Sequence, residues 1–344
     1  MKFDPYRVFS HFEARGNSKE RQMKAVTYER FGLPDVLHVT ELPKPAPKSD
    51  EILIKVHATT VTSGDWRART KNVPSGFGPI APLVFGFSKP RQPILGSQLS
   101  GHVEAVGSAV SNFKVGDRVF AYTGVKLGCY VEYKCLPQHS AVALTPASLR
   151  DDQAAAMSFG GVTALVFLRK GQIKAGDDVL VNGASGPVGS AAVQLAIHFG
   201  ARVTAVCSTS NLDLVKSLRP ENVIDYTKQD FTTTGAKYDL VVDTAGTAPF
   251  ERSRRALKPK GRLLAIAGTL SEMVKTPWVA LTSDKRIVAG PVGGTAEDLR
   301  CLAKLAGSGE YRPVIDRCFP LEQIVDAHRY VDERHKRGNI VITV

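Results

Sequence analysis

Strict alternation of apolar and polar positions dominates the first third of the chain. Lys24-Ala25-Val26-Thr27-Tyr28 has the period of a strand, and Glu51-Ile52-Leu53-Ile54-Lys55-Val56-His57-Ala58 repeats it. Between them Leu42-Pro43-Lys44-Pro45-Ala46-Pro47 cannot extend a ladder, because proline donates no backbone N–H. Further short strands with glycine turns are expected at 101–106 and 118–122, giving an antiparallel, β-rich domain that ends near Pro146. Beyond it the period changes. Residues 151–168 are alanine-rich and helical, and they open a series of buried apolar strands at 179–182, 202–206, 222–224, 239–243 and 262–267, with helical patterns between several of them. Alternating strands and helices build a parallel, doubly wound sheet. After Asp284 come a strand at 286–289, helices at 296–307 and 321–333, and a closing strand at 339–344.

A chain of 344 residues exceeds what one core usually holds, which agrees with two domains. With 43% hydrophobic and 23% charged residues it has an ordinary globular composition. No apolar run reaches the roughly 18 residues that cross a bilayer, and the start carries no signal-like apolar core. A soluble, cytoplasmic protein without a membrane partner is therefore expected. Residues 1–22 mix Lys2, Arg7, Arg15, Lys19 and Arg21 with Asp4, Glu13 and Glu20, so they read as an extension, since organelle-targeting peptides are poor in acids. The five cysteines (129, 135, 207, 301 and 318) are scattered and odd in number, against a disulfide framework. The net charge of +12 is dispersed among acids, and its densest cluster is only Arg334-His335-Lys336-Arg337, so nucleic acid is not an expected partner.

The sharpest local signal is Val179-Leu180-Val181-Asn182-Gly183-Ala184-Ser185-Gly186-Pro187-Val188-Gly189, a strand running into a turn of small residues and then an apolar helix. The lack of bulk at Ala184, Gly186 and Gly189 lets backbone N–H groups approach a pyrophosphate at the positive helix end. Pro187 suits a first helical turn, where its missing N–H costs nothing. The turn assigns Ala184, Ser185, Gly186, Pro187, Val188 and Gly189 to a dinucleotide. An NAD site places an acid at the end of the following strand, yet no Asp or Glu occurs between Ser190 and Leu212. Cys207-Ser208-Thr209-Ser210-Asn211 stands there instead, and Ser208, Thr209 and Asn211 can hydrogen-bond a 2′-phosphate without repelling it. NADPH is thus expected over a weaker NADH.

Further segments carry a family resemblance: Ile94-Leu95-Gly96-Ser97, Gly101-His102-Val103-Glu104-Ala105-Val106-Gly107, Phe113-Lys114-Val115-Gly116-Asp117-Arg118-Val119, Gly161-Val162-Thr163-Ala164 and the closing Gly338-Asn339-Ile340-Val341. From Met23 onward the chain resembles the medium-chain dehydrogenase/reductase superfamily. The resemblance implies a GroES-like catalytic domain (23–147 and 286–344) packed on a Rossmann domain (148–285), with nicotinamide and substrate in the cleft between them. Where the alcohol-dehydrogenase branch holds catalytic zinc, this chain has Thr62, Ser97-Gln98 and Phe159, which are not credible zinc ligands. Cys129 and Cys135 cannot by themselves close a structural zinc site. What remains resembles the zinc-independent quinone oxidoreductase branch, and Val61-Thr62-Ser63-Gly64-Asp65 is similar to its V-N-P-x-D motif, with Thr62 in place of Asn.

The resemblance further implies reduction of quinones or α,β-unsaturated carbonyls, with enoyl-thioester reduction or a recruited RNA-binding or lens-protein role as alternatives. Thr62 and Tyr122 are candidate proton donors. Asp65 is a candidate acid, although its family counterpart fixes the loop. Thr163 is expected near the nicotinamide or phosphates, Tyr226 near the 2′-phosphate, and Ala245, Ala267, Gly268 and Thr269 at strand ends facing the cofactor. Edge-to-edge homodimerisation through Arg286-Ile287-Val288-Ala289 is also implied.

Overall fold

The computed structural model describes residues 22–333 and 337–344, so the expected extension (1–22), apart from Gln22, which opens the first strand, and Arg334 to Lys336 of the basic cluster lie outside the described residues. The first half comprises β1 (Gln22–Thr27), β2 (His38–Pro43), β3 (Glu51–Val61), α1 (Ser63–Thr70), α2 (Ala81–Phe85), β4 (Gln98–Val106), β5 (Arg118–Tyr122), β6 (Tyr133–Pro137), β7 (Val142–Leu144) and α3 (Asp151–Lys170). There follow β8 (Asp178–Asn182), α4 (Pro187–His198), β9 (Arg202–Cys207), α5 (Leu212–Ser217), β10 (Asn222–Asp225), β11 (Tyr238–Asp243), α6 (Phe250–Ser253) and β12 (Leu257–Ala265). The chain closes with α7 (Leu270–Thr282), β13 (Arg286–Ala289), α8 (Ala296–Gly307), β14 (Ile315–Pro320), α9 (Ile324–Asp332) and β15 (Asn339–Thr343). Among the described residues no helix is long and apolar enough to cross a membrane.

Two large sheets organise these elements. The first runs β14-β15-β3-β4-β5-β7, with β6 also on β3, and is antiparallel except where β14 meets β15. The second is parallel in the order β10-β9-β8-β11-β12-β13. The order in which strands are added reverses between β8 and β11, and in such sheets the crevice beyond the carboxyl ends at that point receives the ligand. The apolar runs follow from burial on both faces. Val179 and Val181 enter the core shared with α3 and α4, while Leu180 enters the opposite core with Val241 and Leu263.

The structure moves one expected boundary. β13 pairs with β12, Leu263 opposite Ile287, and Ile287 is buried in the core of the parallel sheet, so residues 286–289 belong to the dinucleotide-type sheet and not to the catalytic domain. The chain re-enters the first sheet only at β14. β14 lacks apolar alternation because it is a largely exposed edge.

The two domains meet along α3, whose apolar residues share one core with Phe120 and Ala143 on one side and Val181 and Ala192 on the other. Gly160 sets how near α4 can come, since a Cβ there would stand 2.4 Å from the Pro187 carbonyl oxygen. Two backbone bonds cross the cleft: Gly338 N–H donates to Ser185 O (2.9 Å), and Leu270 N–H to Ser75 O (3.1 Å). The substitution Gly160→Ala must displace a helix that carries the phosphate turn. Overpacking of this kind costs about 1–3 kcal/mol, and we expect a lower thermal midpoint together with weaker NADPH binding by fluorescence titration. An unchanged midpoint would show that α4 moves freely.

Candidate active site

A cleft of about 760 Å³ lies between the domains, and its walls come from distant parts of the sequence. On the parallel-sheet side it is floored by the turn that follows β8. Gly183 has φ +83°, and a Cβ on Gly189 would lie 2.0 Å from the Gly183 carbonyl oxygen, so the turn closes only with glycine there. A Cβ on Gly186 would meet nothing nearer than 3.7 Å. No side chain caps the N-terminus of α4, so its first backbone N–H groups face the cleft. This is a cradle for a phosphate anion. Ser185, Gly186, Pro187, Val188 and Gly189 all line it, whereas Ala184 is fully buried behind the turn with its N–H on Val206 O.

The loop after β11 is shaped by one carboxylate. Asp243 accepts from Ala245 N (3.2 Å), Gly246 N (3.0 Å), Ala248 N (3.0 Å) and the Asn182 side-chain amide (2.8 Å). Thr244, Ala245 and Gly246 therefore present backbone to the cleft, joined by Ala267 and Thr269 from the end of β12. Gly268 makes the tight turn between them and does not line the cleft.

At the end of β9 the hydroxyl-rich run is only partly available. Ser208, Ser210, Asn211 and Tyr226 line the cleft, and the Asn211 amide donates to Ser185 Oγ and Ser208 Oγ, both at 3.1 Å. Thr209 turns away instead, donating to Asp225 Oδ2 (2.5 Å) and lying 2.9 Å from the Thr227 hydroxyl. The hydrogen bond from Thr209 holds the Asp225 carboxyl below the usual range. The expectation that Thr209 faces a 2′-phosphate is thus corrected: Asp225, arriving on β10 opposite Cys207, captures its hydroxyl, and Ser210 takes its place in the lining. Cys207 ends β9 and touches the cleft; burial, then the charge of Asp225, pushes its thiol up to about 11, so it stays neutral.

The other wall is α1, which presents Ser63, Trp66 and Arg67 at one-face helical spacing. The adjoining loop adds Asn72, Val73, Pro74 and Ser75, α3 adds Phe159, and the C-terminal part adds Val331 and Arg337. Arg67 has no carboxylate partner among the described residues, and burial lowers its pKa. Of these, Phe159 is the residue found where the alcohol-dehydrogenase branch would hold zinc. Ser63, Trp66 and Arg67 could have been found from their spacing, but Val331 and Arg337 had no local signal.

Thr62 and Asp65 stand behind this wall. Thr62 is buried as the N-cap of α1: its N–H and hydroxyl donate to Asp65 Oδ2 (2.8 and 2.6 Å) while Asp65 Oδ1 accepts from Gly96 N (2.7 Å). Asp65 also bonds Tyr130, whose phenol is held well above its ordinary pKa by burial and then by the Asp65 charge. With both oxygens occupied and no exposure, Asp65 is a positioning residue, which corrects its place among the catalytic candidates. Thr62 has the same status, and neither lines the cleft. Tyr122 is half-buried over Gly294, outside the lining, and its phenol is raised to about 12, chiefly by burial. Thr163 is buried in α3 and does not reach the cleft surface.

The positions that would ligate zinc in the alcohol-dehydrogenase pattern do not fit a metal. The Thr62 hydroxyl is bound to Asp65, the Gln98 amide is occupied by Thr60 and the Phe159 N–H, and Phe159 offers no donor atom. Of these four positions only Ser97 has a buried hydroxyl without a partner among the described residues, and one neutral hydroxyl is not a zinc site.

A parallel sheet with a phosphate cradle at its switch point, facing a β-rich domain across a cleft, defines a two-domain nucleotide-dependent oxidoreductase. Residues 48–147 match the alcohol dehydrogenase GroES-like domain model, and residues 220–342 match the zinc-binding dehydrogenase model. The chain is 33% identical to the 2-methylene-furan-3-one reductase of Solanum lycopersicum over 93% of this chain and 79% of that protein. It is 31% identical to the NADPH-dependent alkenal/one oxidoreductase of Arabidopsis thaliana, over 94% and 80%. The solved quinone oxidoreductase of Coxiella burnetii superposes with a TM-score of 0.83 at 30% identity, covering 94% of this chain and all of that one. The chain belongs to the medium-chain dehydrogenase/reductase superfamily, in its quinone oxidoreductase-like branch.

If Asp65 positions α1 and does not donate a proton, Asp65→Asn should lose about 1–3 kcal/mol of stability, the cost of spoiling buried charge-assisted bonds. Turnover should fall with an unchanged pH profile. A profile that loses one limb in the variant would restore Asp65 as an acid.

Proposed function

We propose that the chain is an NADPH-dependent, zinc-independent reductase of quinones or α,β-unsaturated carbonyls. The observation that carries this reading is the uncapped helix end and acid-free strand end opening on one cleft, opposite a wall without metal ligands. The named relatives support the same acceptor class. When bound, the reduced nicotinamide supplies the hydride. The backbone of Gly186 to Gly189 would hold the pyrophosphate with Arg337 as a nearby cation, and Ser208, Ser210, Asn211 and Tyr226 the 2′-phosphate. Ala245, Gly246, Ala267 and Thr269 permit close approach of the cofactor, and Trp66 and Phe159 keep water from the reacting centre. Tyr122 stands outside the lining, as Thr62 and Asp65 do, which corrects its place as a proton donor: none of the three candidate side chains faces the cleft. Following reduced-nicotinamide absorbance against quinones, enals and enoyl thioesters tests the reading; turnover of none of them, or of enoyl thioesters alone, would overturn it.

Two hydrogen bonds to a charged group, each about 1.5–3 kcal/mol, give NADPH a preference over NADH on the order of 100-fold or more. In Cys207→Asp the carboxylate would repel the 2′-phosphate and accept from the ribose hydroxyl, so the ratio of kcat/KM for the two cofactors should fall to unity or below. An unchanged ratio would place the discriminating contact elsewhere.

The oligomeric reading is a homodimer. Among the described residues β13 is one of the two edges of the parallel sheet, and the packed neighbour α7 exposes Val274, Trp278 and Leu281, at 67, 68 and 84%. Joining two such edges buries both. Light scattering should give twice the chain mass at micromolar concentration, and Trp278→Glu should give the monomer.

A further inference from the structure

The stretch from Trp66 to Val103 contains five Lys or Arg (67, 69, 71, 89 and 91) and no Asp or Glu. Within it α2 is anchored by buried Ala81 and by Phe85, which packs against the core beneath α1. Away from that core the segment exposes Leu83 and Val84 on α2, Ile80 at its N-cap and Phe87 just past its end, at 56, 51, 41 and 68%. The turn beyond is braced. Gly86 N–H donates to Pro82 O (2.9 Å), Arg91 N–H to Phe85 O (2.8 Å) and Lys71 Nζ to Phe87 O (2.7 Å). Gly86 has φ +116°, and a Cβ there would come 2.1 Å from Lys89 O, so only glycine allows this turn. A rigid fold that holds four apolar side chains in water marks a contact surface.

We infer that this face docks on an anionic lipid bilayer and lets lipid-soluble acceptors enter the cleft from the membrane. Apolar side chains seated at the acyl boundary with cations among the headgroups are the chemistry of a surface-bound protein. Lys89 and Arg91 are exposed beside the apolar face, and no acid in this stretch opposes them. A second copy fits less well, because a two-fold contact would bring these cations against each other. The same loop contributes Asn72 to Ser75 to the cleft, so the docking face and the cleft wall are one continuous piece of chain. The absence of a membrane-crossing run does not bear on this mode of contact.

The test uses the full chain with vesicles of phosphatidylcholine, alone or mixed with phosphatidylglycerol. Sedimentation with the anionic vesicles is expected, weakened by salt, and reduced about tenfold in Leu83→Ser/Phe87→Ser and in Lys89→Glu/Arg91→Glu. Both double variants should reduce water-soluble benzoquinone as the parent does, but reduce a long-chain quinone held in anionic vesicles more slowly. Vesicle binding is measured without turnover, so failure of the reductase reading leaves this arm standing. Absence of binding, equal binding by the variants, or preference for neutral vesicles overturns the proposal. So does a halved mass of Leu83→Ser/Phe87→Ser in light scattering, which would assign the face to a second copy.

Discussion

One close approach, of α3 to the start of α4, holds the molecule's two chemistries together. Gly160 removes the side chain that would keep the helices apart, and Pro187 presents its carbonyl oxygen to the gap because a proline begins α4. The helix whose N-terminus faces the cleft is therefore seated on the helix that carries Phe159 into it. The packing is a continuous apolar core, so the spacing between cofactor cradle and substrate wall is set by close-packed side chains and not by a linker.

The opposite wall is fixed differently, by charge in a nearly dry place. Asp65 binds the Thr62 and Gly96 backbones at one end of α1, and Arg69, fully buried, bonds Gly32 O (2.7 Å), His328 and both oxygens of Asp332 (2.6 and 2.7 Å) at the other. Tyr130 links the two, contacting Asp65 and lying 3.3 Å from His328 Nε2. Removing Asp332 from its pair with the buried Arg69 typically costs about 3–5 kcal/mol, because the arginine charge is left stranded. In return α1 keeps one orientation, and Ser63, Trp66 and Arg67 keep one position in the cleft.

The sequence was most legible where burial imposes a period. Arg118–Tyr122 and Ala296–Gly307 were read with their observed ends, and the turn at 183–189 sits where a strand, small residues and an apolar helix required it. Reading was poorest where a distant residue decides. Thr209 looks like a phosphate ligand until Asp225, on the neighbouring strand, takes its hydroxyl. Arg69 carries no local sign of its burial because its partners, His328 and Asp332, lie far along the chain. β13 was assigned to the wrong domain because four residues carry too little pattern to reveal their sheet, and only the pairing of Ile287 with Leu263 settles it.

These constraints bear on the acceptor. A simple ketone needs its oxygen polarised strongly before it accepts a hydride, and a Lewis acid is the usual means. At the corresponding place this protein has an occupied amide, an occupied hydroxyl and a phenylalanine. What the cleft can supply is placement, a cofactor cradle on rigid backbone facing a wall held by buried charge, and placement alone can contribute several kcal/mol to a transfer between bound partners. That contribution suffices only for an acceptor that is already electron-poor. A quinone or conjugated carbonyl spreads the incoming charge over its own π-system and leaves to the protein the lesser tasks of excluding water and delivering a proton.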